Sequence, residues 1–446
     1  MENVIVWFLL ATSIAFAQEP VELDLTEAVS YALEHKADAE KARLDVDNAD
    51  AQIAEVRANA LPNLSANAGT TYNALLQENI LPGEIFGAPG ESIAVAFGRK
   101  WNSTANVQLS QTIFNQAVFV GLKAARSTKE FYQLNAKLTN EEIIEKVATA
   151  YYQVYQSQQT LENLQSNLEL TEQTLKIVKG LYDNGLAKKI DYDRSIVALN
   201  NLKSNRQQAI NAVDLSENAL KFMIGMAIDQ EITLPEQSFQ PTFLPGIEFG
   251  ISDRTELELL DKQIELLEWK KKSTVAEYYP SASLSANYGW LGQGDEVPLW
   301  NGEDKGVFWS DLASVSVNIS IPIFNGGATS ARVRQNQIEI DKAQEDLQET
   351  KLSLQLAYEN ATAQLENSFL TIDTQEENVA LAQEVLEDIQ SNYELGLASL
   401  NDMLDAEREL STAKNNLTNA QLEYKLAEVA LLKSQGKLET LKENNL

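Results

Sequence analysis

Cysteine is absent from the 446 residues. That removes disulfides, thiol catalysis, cysteine metal sites and the acylated cysteine of a lipoprotein anchor together. Histidine is almost absent. The single His35 lies in a helix-patterned segment and reads as an ordinary helix residue, because metal centres of the usual kind draw on several such ligands. Basic residues are scarce: 35 Lys+Arg against 65 Asp+Glu leave a formal charge of -30. Such a balance argues against a nucleic-acid partner, which needs a basic face to displace counterions from phosphates. It favours solubility and gives any internal cavity a field that attracts cations. There is no phosphate-cradling glycine loop and no nucleophile constellation, so neither an enzyme nor a cofactor is expected.

Long apolar runs are missing except at the start. Val4 to Ala17 is nearly all apolar, too short to span a bilayer, and ends in Ala15-Phe16-Ala17 before Gln18. Residues 1–17 therefore read as a signal peptide, although Glu2 stands where a basic residue is expected. On that reading the mature chain works outside the cytoplasm.

What is present is a pattern that occurs twice. Leu25-Thr-Glu-Ala-Val opens a helix, with Thr26 as the expected N-cap, that runs to about Ala60 before Leu61-Pro62 stops it. The period then changes from helical to two. Leu64, Ala66, Ala68 and Tyr72 alternate with Asn63, Ser65, Asn67 and Gly69; after a Gly/Pro-rich loop, Ala105, Val107, Leu109 and Ile113 alternate with Asn106, Gln108, Ser110 and Thr112. Phe114-Asn115 closes the second strand.

A proline-free segment from about Ala117 to Tyr182 follows, roughly 100 Å long if helical. Its Leu161, Leu164, Leu168, Thr171, Leu175, Val178 and Tyr182 keep the three-four spacing of a coiled-coil seam. A turn at Gly185 leads to a return helix ending near Ile224. After an irregular stretch with Pro235, Pro241 and Pro245, Asp253-Arg-Thr-Glu256 has the form of a capping box.

Then the order repeats. A helix runs to Tyr279-Pro280, and Ala282 to Trp290 and Ser314 to Ile323 alternate as strands, closed by Phe324-Asn325. A long helix from about Thr329 ends at Tyr393, a turn forms at Gly396, and Met403, Ala406, Leu410, Ala413, Leu417, Ala420, Tyr424, Ala427 and Leu431 hold the seam without a gap. The expected divisions are 18–224 for the first repeat, 225–251 for an irregular mid-height (equatorial) segment, 252–437 for the second repeat and 438–446 for a short polar tail.

The lengths constrain the assembly. The return helix of one copy and the opening helix of the next together match one unbroken long helix, which suggests a tall α-barrel with strands at one end and both glycine turns at the other. Ten alternating residues suit a tilted strand crossing an outer membrane, and Trp101, Trp290, Trp300 and Trp309 lie near strand ends, where interfacial aromatics belong. A bilayer admits only closed barrels, and four strands are too few to close, so several chains must share one barrel. The competing reading is a secreted or periplasmic coiled-coil scaffold or adaptor without a barrel, which leaves four alternating strands at matched repeat positions unexplained.

The Leu-Thr-Glu-Ala-Val opening, Leu61-Pro62, Tyr279-Pro280, Phe114-Asn115, Phe324-Asn325-Gly-Gly327, Tyr182-x-x-Gly185 and Tyr393-x-x-Gly396-x-x-Ser-x-x-Asp402-x-x-Asp405-Ala occur here in order. On these residues the chain resembles the TolC-type outer-membrane efflux and secretion channels over nearly its whole length after the signal. The resemblance implies a mainly α fold and a homotrimer with a twelve-stranded shared transmembrane barrel. It also implies a periplasmic helical tunnel that meets a periplasmic adaptor and an inner-membrane pump, with export of small toxic compounds favoured over type I protein secretion.

The resemblance further implies roles at the turns. Asp402 and Asp405 would form carboxylate rings that constrict the entrance, Tyr393 would join the closing network, and Gly185 and Gly396 would mark the adaptor contact. Three-fold symmetry would bring like charges together, which raises their pKa values and attracts cations; solvated acids favouring a helix N-terminus are the simpler alternative. The first turn departs from the second: Asp191 matches Asp402, but Arg194 stands where Asp405 stands. Ala398 occupies the position at which some relatives carry a locking arginine, so that lock is not expected here.

Overall fold

The computed structural model describes residues 21–87, 89–235 and 254–442. The signal segment, Asp253 of the expected capping box and most of the irregular mid-height stretch lie outside the described residues. In chain order the elements are β1 (Val21–Glu22), α1 (Leu25–His35), α2 (Ala37–Ala58), β2 (Asn63–Tyr72), β3 (Glu78–Pro82), β4 (Ser92–Ala96), β5 (Trp101–Phe114), α3 (Gln116–Asp183), α4 (Lys189–Ile224), β6 (Ile232–Thr233), α5 (Thr255–Ala276), β7 (Ser281–Gly294), β8 (Val307–Ser320), α6 (Ala328–Glu394) and α7 (Leu400–Ser434), followed by a 3-10 turn, Leu438–Lys442. Helix, strand, strand, long helix, turn and return helix occur twice.

Four local expectations differ from what forms. Helix α1 is capped by Asp24, not Thr26: the Asp24 carboxylate accepts the Glu27 N–H at 2.6 Å and the Glu27 carboxylate accepts the Asp24 N–H at 3.1 Å, a reciprocal box that leaves Thr26 inside the first turn. The opening helix is two helices, because Lys36 takes an extended conformation at the C-cap of α1. Strand β8 spans Val307–Ser320 and stops before Ile321 and Ile323. Its partner β7 begins at Ser281 opposite Ser320, and Pro322 has no N–H to extend the ladder. The Gly/Pro-rich loop after β2 holds a hairpin of its own, β3 with β4.

The chain divides into two units, one of Met1–Asp45, Gln133–Leu259 and Asp346–Leu446, the other of Val46–Tyr132 and Leu260–Glu345. The main core of the first gathers Val29 and Ala32 of α1, Ile144, Val147 and Tyr151 of α3, Leu220 and Ile224 of α4, Ile232 of β6 and Val429 of α7. Leu438 and Leu441 join it, so the start of the expected polar tail is buried in the core; leucines at i and i+3 of a single helical turn are enough to make one apolar face. The seam residues of α7 are buried as expected, with Ala420, Tyr424, Ala427 and Leu431 against Ala361, Leu365 and Ile372 of α6. Arg254, itself buried, donates to the Ser434 carbonyl at 2.7 Å and so satisfies the C-terminal end of α7.

The second unit carries a four-stranded antiparallel sheet in the order β2-β5-β7-β8. Its register decides what the alternation means. Leu64, Leu109, Ala286 and Val315 form one rung, Ala66, Val107, Tyr288 and Ala313 the next on the same side. The rungs between them are Ser65, Gln108, Asn287 and Ser314, and Asn63, Ser110, Ser285 and Ser316. The four alternations are in phase over these rungs, so the middle of the sheet has one apolar and one polar face; toward the Trp101 end the faces mix, with Asp311 opposite Trp290 on the first side and Leu312 and Phe308 on the second.

Candidate functional site

The two turns are built alike. Gly396 takes φ +74° and Gly185 φ +73°, the left-handed region that terminates a helix without a Cβ penalty. In the second turn Gly396 N–H donates to Tyr393 O and Leu397 N–H to Asn392 O, at 3.0 and 2.8 Å; in the first, Gly185 donates to Tyr182 O and Leu186 to Leu181 O, at 2.9 and 2.8 Å. Each tip presents apolar side chains to solvent: Leu186 is 77% exposed, Leu395 74% and Leu397 75%. Those tip leucines escaped the sequence reading, which singled out only the glycines.

Beyond the glycine the copies diverge. Ser399 caps α7 in a reciprocal box: the Asp402 N–H donates to the Ser399 hydroxyl, while Asp402 accepts the Ser399 N–H at 2.9 Å and its hydroxyl at 2.7 Å. These hydrogen bonds, the hydroxyl first, hold the Asp402 carboxyl below the usual range. Asp405 pairs with Arg408 one turn on. In the first turn the capping position is Lys188, with no side-chain bond. Within one chain, then, each of the two aspartates has its own partner along α7.

The structure links the turns through residues of both copies. Arg194 donates to the Asn401 side chain at 3.0 Å, so the residue replacing the second acid in the first copy reaches α7. Within the first turn itself, Tyr182 stacks on Tyr192 with centroids 5.4 Å apart. Tyr393 is half-buried; burial raises its phenol, and the charge of Asp191 adds to the rise, so the acid that Tyr393 senses comes from the other turn. Sequence comparison of the copies named Asp191 and Arg194 but could not show that they meet the second turn.

Glu407 is a buried acid that the sequence reading missed. It follows seam residue Ala406 and is 3% exposed, accepting hydrogen bonds from the Thr171 and Thr174 hydroxyls at 2.8 and 2.6 Å. Desolvation raises its carboxyl above the ordinary value, and the two threonines offset part of that.

The tryptophans lie toward one end of the sheet. Trp101 faces Tyr72 across the β2/β5 pair with ring centroids 4.8 Å apart, Trp309 is opposite Gly292, Trp290 packs on Tyr288, and Trp300 stands in the β7–β8 connection. The other end carries exposed Phe114, Tyr278, Tyr279 and Phe324, a second aromatic group absent from the expectation, in which Phe114, Tyr279 and Phe324 mark only the ends of strands and a helix. Among the described residues, no helix is long and apolar enough to cross a membrane.

Comparison with known proteins agrees with this construction. The profile of one family, described as outer membrane efflux protein, matches residues 28–226 and 262–437. The outer membrane protein TolC of Vibrio cholerae serotype O1 is 22% identical over 421 residues, covering 93% of this chain and 91% of that one. The outer membrane efflux protein BepC of Brucella suis biovar 1 is also 22% identical, covering 96% and 89%. Among solved structures, the outer membrane protein VceC from Vibrio cholerae superposes with a TM-score of 0.73 at 18% identity, covering 92% of this chain and 96% of that one.

Proposed function

Because this chain belongs to the outer membrane efflux protein family, we propose that it forms a passive outer-membrane duct, open to a periplasmic adaptor and an inner-membrane pump that supplies the energy. The observation that carries the reading is the phase of the sheet: its central rungs, Leu64-Leu109-Ala286-Val315 and Ala66-Val107-Tyr288-Ala313, are apolar on one side, and Asn63-Ser110-Ser285-Ser316 and Ser65-Gln108-Asn287-Ser314 are polar on the other. That is the construction of a barrel wall between lipid and water. A coiled-coil scaffold has no use for it.

Among the described residues, the sheet's outer strands, β2 and β8, each have one free edge. In hydrocarbon those edges must pair, and β2 of one copy meeting β8 of the next is a head-to-tail contact that closes into a ring. Three copies make a twelve-stranded barrel with a polar lumen. The same symmetry gathers Asp402 and Asp405 into carboxylate clusters at the periplasmic end, with Tyr393 and Asp191 beside them, and the exposed leucines around Gly185 and Gly396 offer an apolar docking surface to the adaptor. Export of small toxic compounds fits a duct of this kind better than type I protein secretion.

Two measurements test the proposal. The protein should fractionate with outer membranes and run as an oligomer in SDS that heating dissociates; a soluble periplasmic monomer overturns the duct. In planar-bilayer recordings, Asp402→Asn and Asp405→Asn should lower cation selectivity and relieve block by divalent cations. Unchanged conductance properties remove both residues from the entrance.

A further inference from the structure

Where strands give way to helices, the second unit has an open cavity of about 640 Å³ between the start of α3, the end of α5 and the start of α6. Three lysines line it, Lys123, Lys271 and Lys272, against a single acid, Glu268. Lys272 lies 4.2 Å from the centre of the Trp269 ring and 3.5 Å from Glu268; Lys123 lies 6.0 Å from the same ring. Lys271 donates to the Gln337 side chain at 2.5 Å. Among the described residues neither Lys123 nor Lys271 has a carboxylate partner, in a chain of net charge -30.

The Trp269 ring is a fixed wall. Its indole N–H donates to Ser127 and Glu265, both at 3.1 Å, and Glu265 is in turn held by Ser127 at 2.7 Å and Lys262 at 2.6 Å. The groove is therefore a cationic, aromatic cleft whose Trp269 wall is held by groups other than its own lysines.

Its position identifies the ligand. After the register shift near the end of β5, Phe114 stands opposite Ala282, on the apolar side of the sheet. Phe119, a wall of the groove, packs against Phe114 with centroids 6.2 Å apart, and Tyr279 forms the neighbouring rim. The apolar side of the sheet thus leads through Phe114 and Phe119 into the groove, while the lysines lie four to seven residues from the sheet-side ends of α3 and α5, roughly 6–10 Å further along. An amphiphile with its chains on the sheet would place its headgroup among the ammonium groups, which suits phosphate as a multi-oxygen acceptor.

We propose that this groove is a binding site for an anionic glycerophospholipid of the leaflet facing the helices, its phosphate held by Lys123, Lys271 and Lys272 and its chain tops against Phe119 and Tyr279. The inference rests on the sheet being a membrane wall. With no cysteine to carry a covalent lipid, a bound phospholipid would fix the height of the chain in the bilayer at this cleft.

Native mass spectrometry of the full-length protein, delipidated in detergent and titrated with phosphatidylglycerol, phosphatidylcholine or inorganic phosphate, tests it. Phosphatidylglycerol should bind once per chain and more tightly than phosphatidylcholine. Lys123→Gln and Lys271→Gln should each weaken it roughly fivefold, whereas Lys270→Gln, whose lysine pairs with Glu339 outside the groove, should not. Bromine-labelled chains should quench a fluorescence component that disappears in Trp269→Phe. Equal binding of the two lipids, unchanged binding by the glutamine variants, or displacement by inorganic phosphate overturns the site. If the protein is a soluble monomer the membrane reading itself fails; a heat-dissociable outer-membrane oligomer with lysine-independent lipid binding removes only this inference.

Discussion

At the scale of single residues, the turn and the buried acid make opposite demands. Gly396 needs a left-handed backbone, so Gly396→Ala should cost about 1 kcal/mol or more. Gly180, inside α3 with open space around its missing Cβ, should accept alanine and gain up to about 1 kcal/mol. Thermal dissociation of the assembled protein distinguishes the two. For Glu407 the sign follows from its raised pKa: between the ordinary carboxylate value of 4.5 and its folded value, the folded state holds more protons than the unfolded one. Its contribution to stability therefore falls as pH rises through that window. Glu407→Gln should raise the thermal midpoint at neutral pH by a few degrees and make almost no difference at pH below 4.5, while keeping hydrogen bonds to Thr171 and Thr174.

At the scale of the element, a strand has two faces that neighbouring residues sample in turn. Val317 stands opposite Leu284 on the apolar side of β8, and Ser316 opposite Ser285 on the polar side. Lysine at 317 should cost about 2–4 kcal/mol if the rung lies near the bilayer midplane, and lysine at 316 should be tolerated in a water-filled lumen. Urea titration of protein refolded into lipid vesicles measures both. Equal costs would mean that neither face meets lipid. The long helices follow a parallel rule: α7 buries every seam residue but the half-buried Leu417, whereas Leu161, Leu164, Leu168 and Leu175 of α3 are half-buried within one chain.

At the scale of the whole molecule, the first unit is closed by its chain ends. Val21–Glu22 pairs with Ile232–Thr233, and Leu438 and Leu441 enter the core beside α1. A chain ending at Gly436 should lose about 1.5–3 kcal/mol for each of these leucines, and it should show a lower unfolding midpoint and less assembled oligomer than the full chain. The effect should be reproduced by Leu441→Ser alone, in reduced measure.

Local pattern determined much of this protein. Period-two and three-four spacings, read along Asn63–Tyr72, Trp101–Phe114 and the α7 seam, gave the strands, the long helices and the repeat, because amphipathic periodicity is a property of adjacent residues. The Tyr-x-x-Gly turns were legible for the same reason. The tertiary structure decided what depends on residues far apart in sequence: that the four alternations are in phase, that Tyr393 senses Asp191 and Arg194 reaches Asn401, that Glu407 is buried under two threonines, and that Phe114 joins the sheet's apolar face to the lysines of a helical cleft. A seam-adjacent glutamate and three helical lysines look like surface residues until a neighbouring helix covers the first and a neighbouring strand directs an apolar face toward the second. Periodicity specifies which side of an element is apolar, and only packing specifies what that side meets.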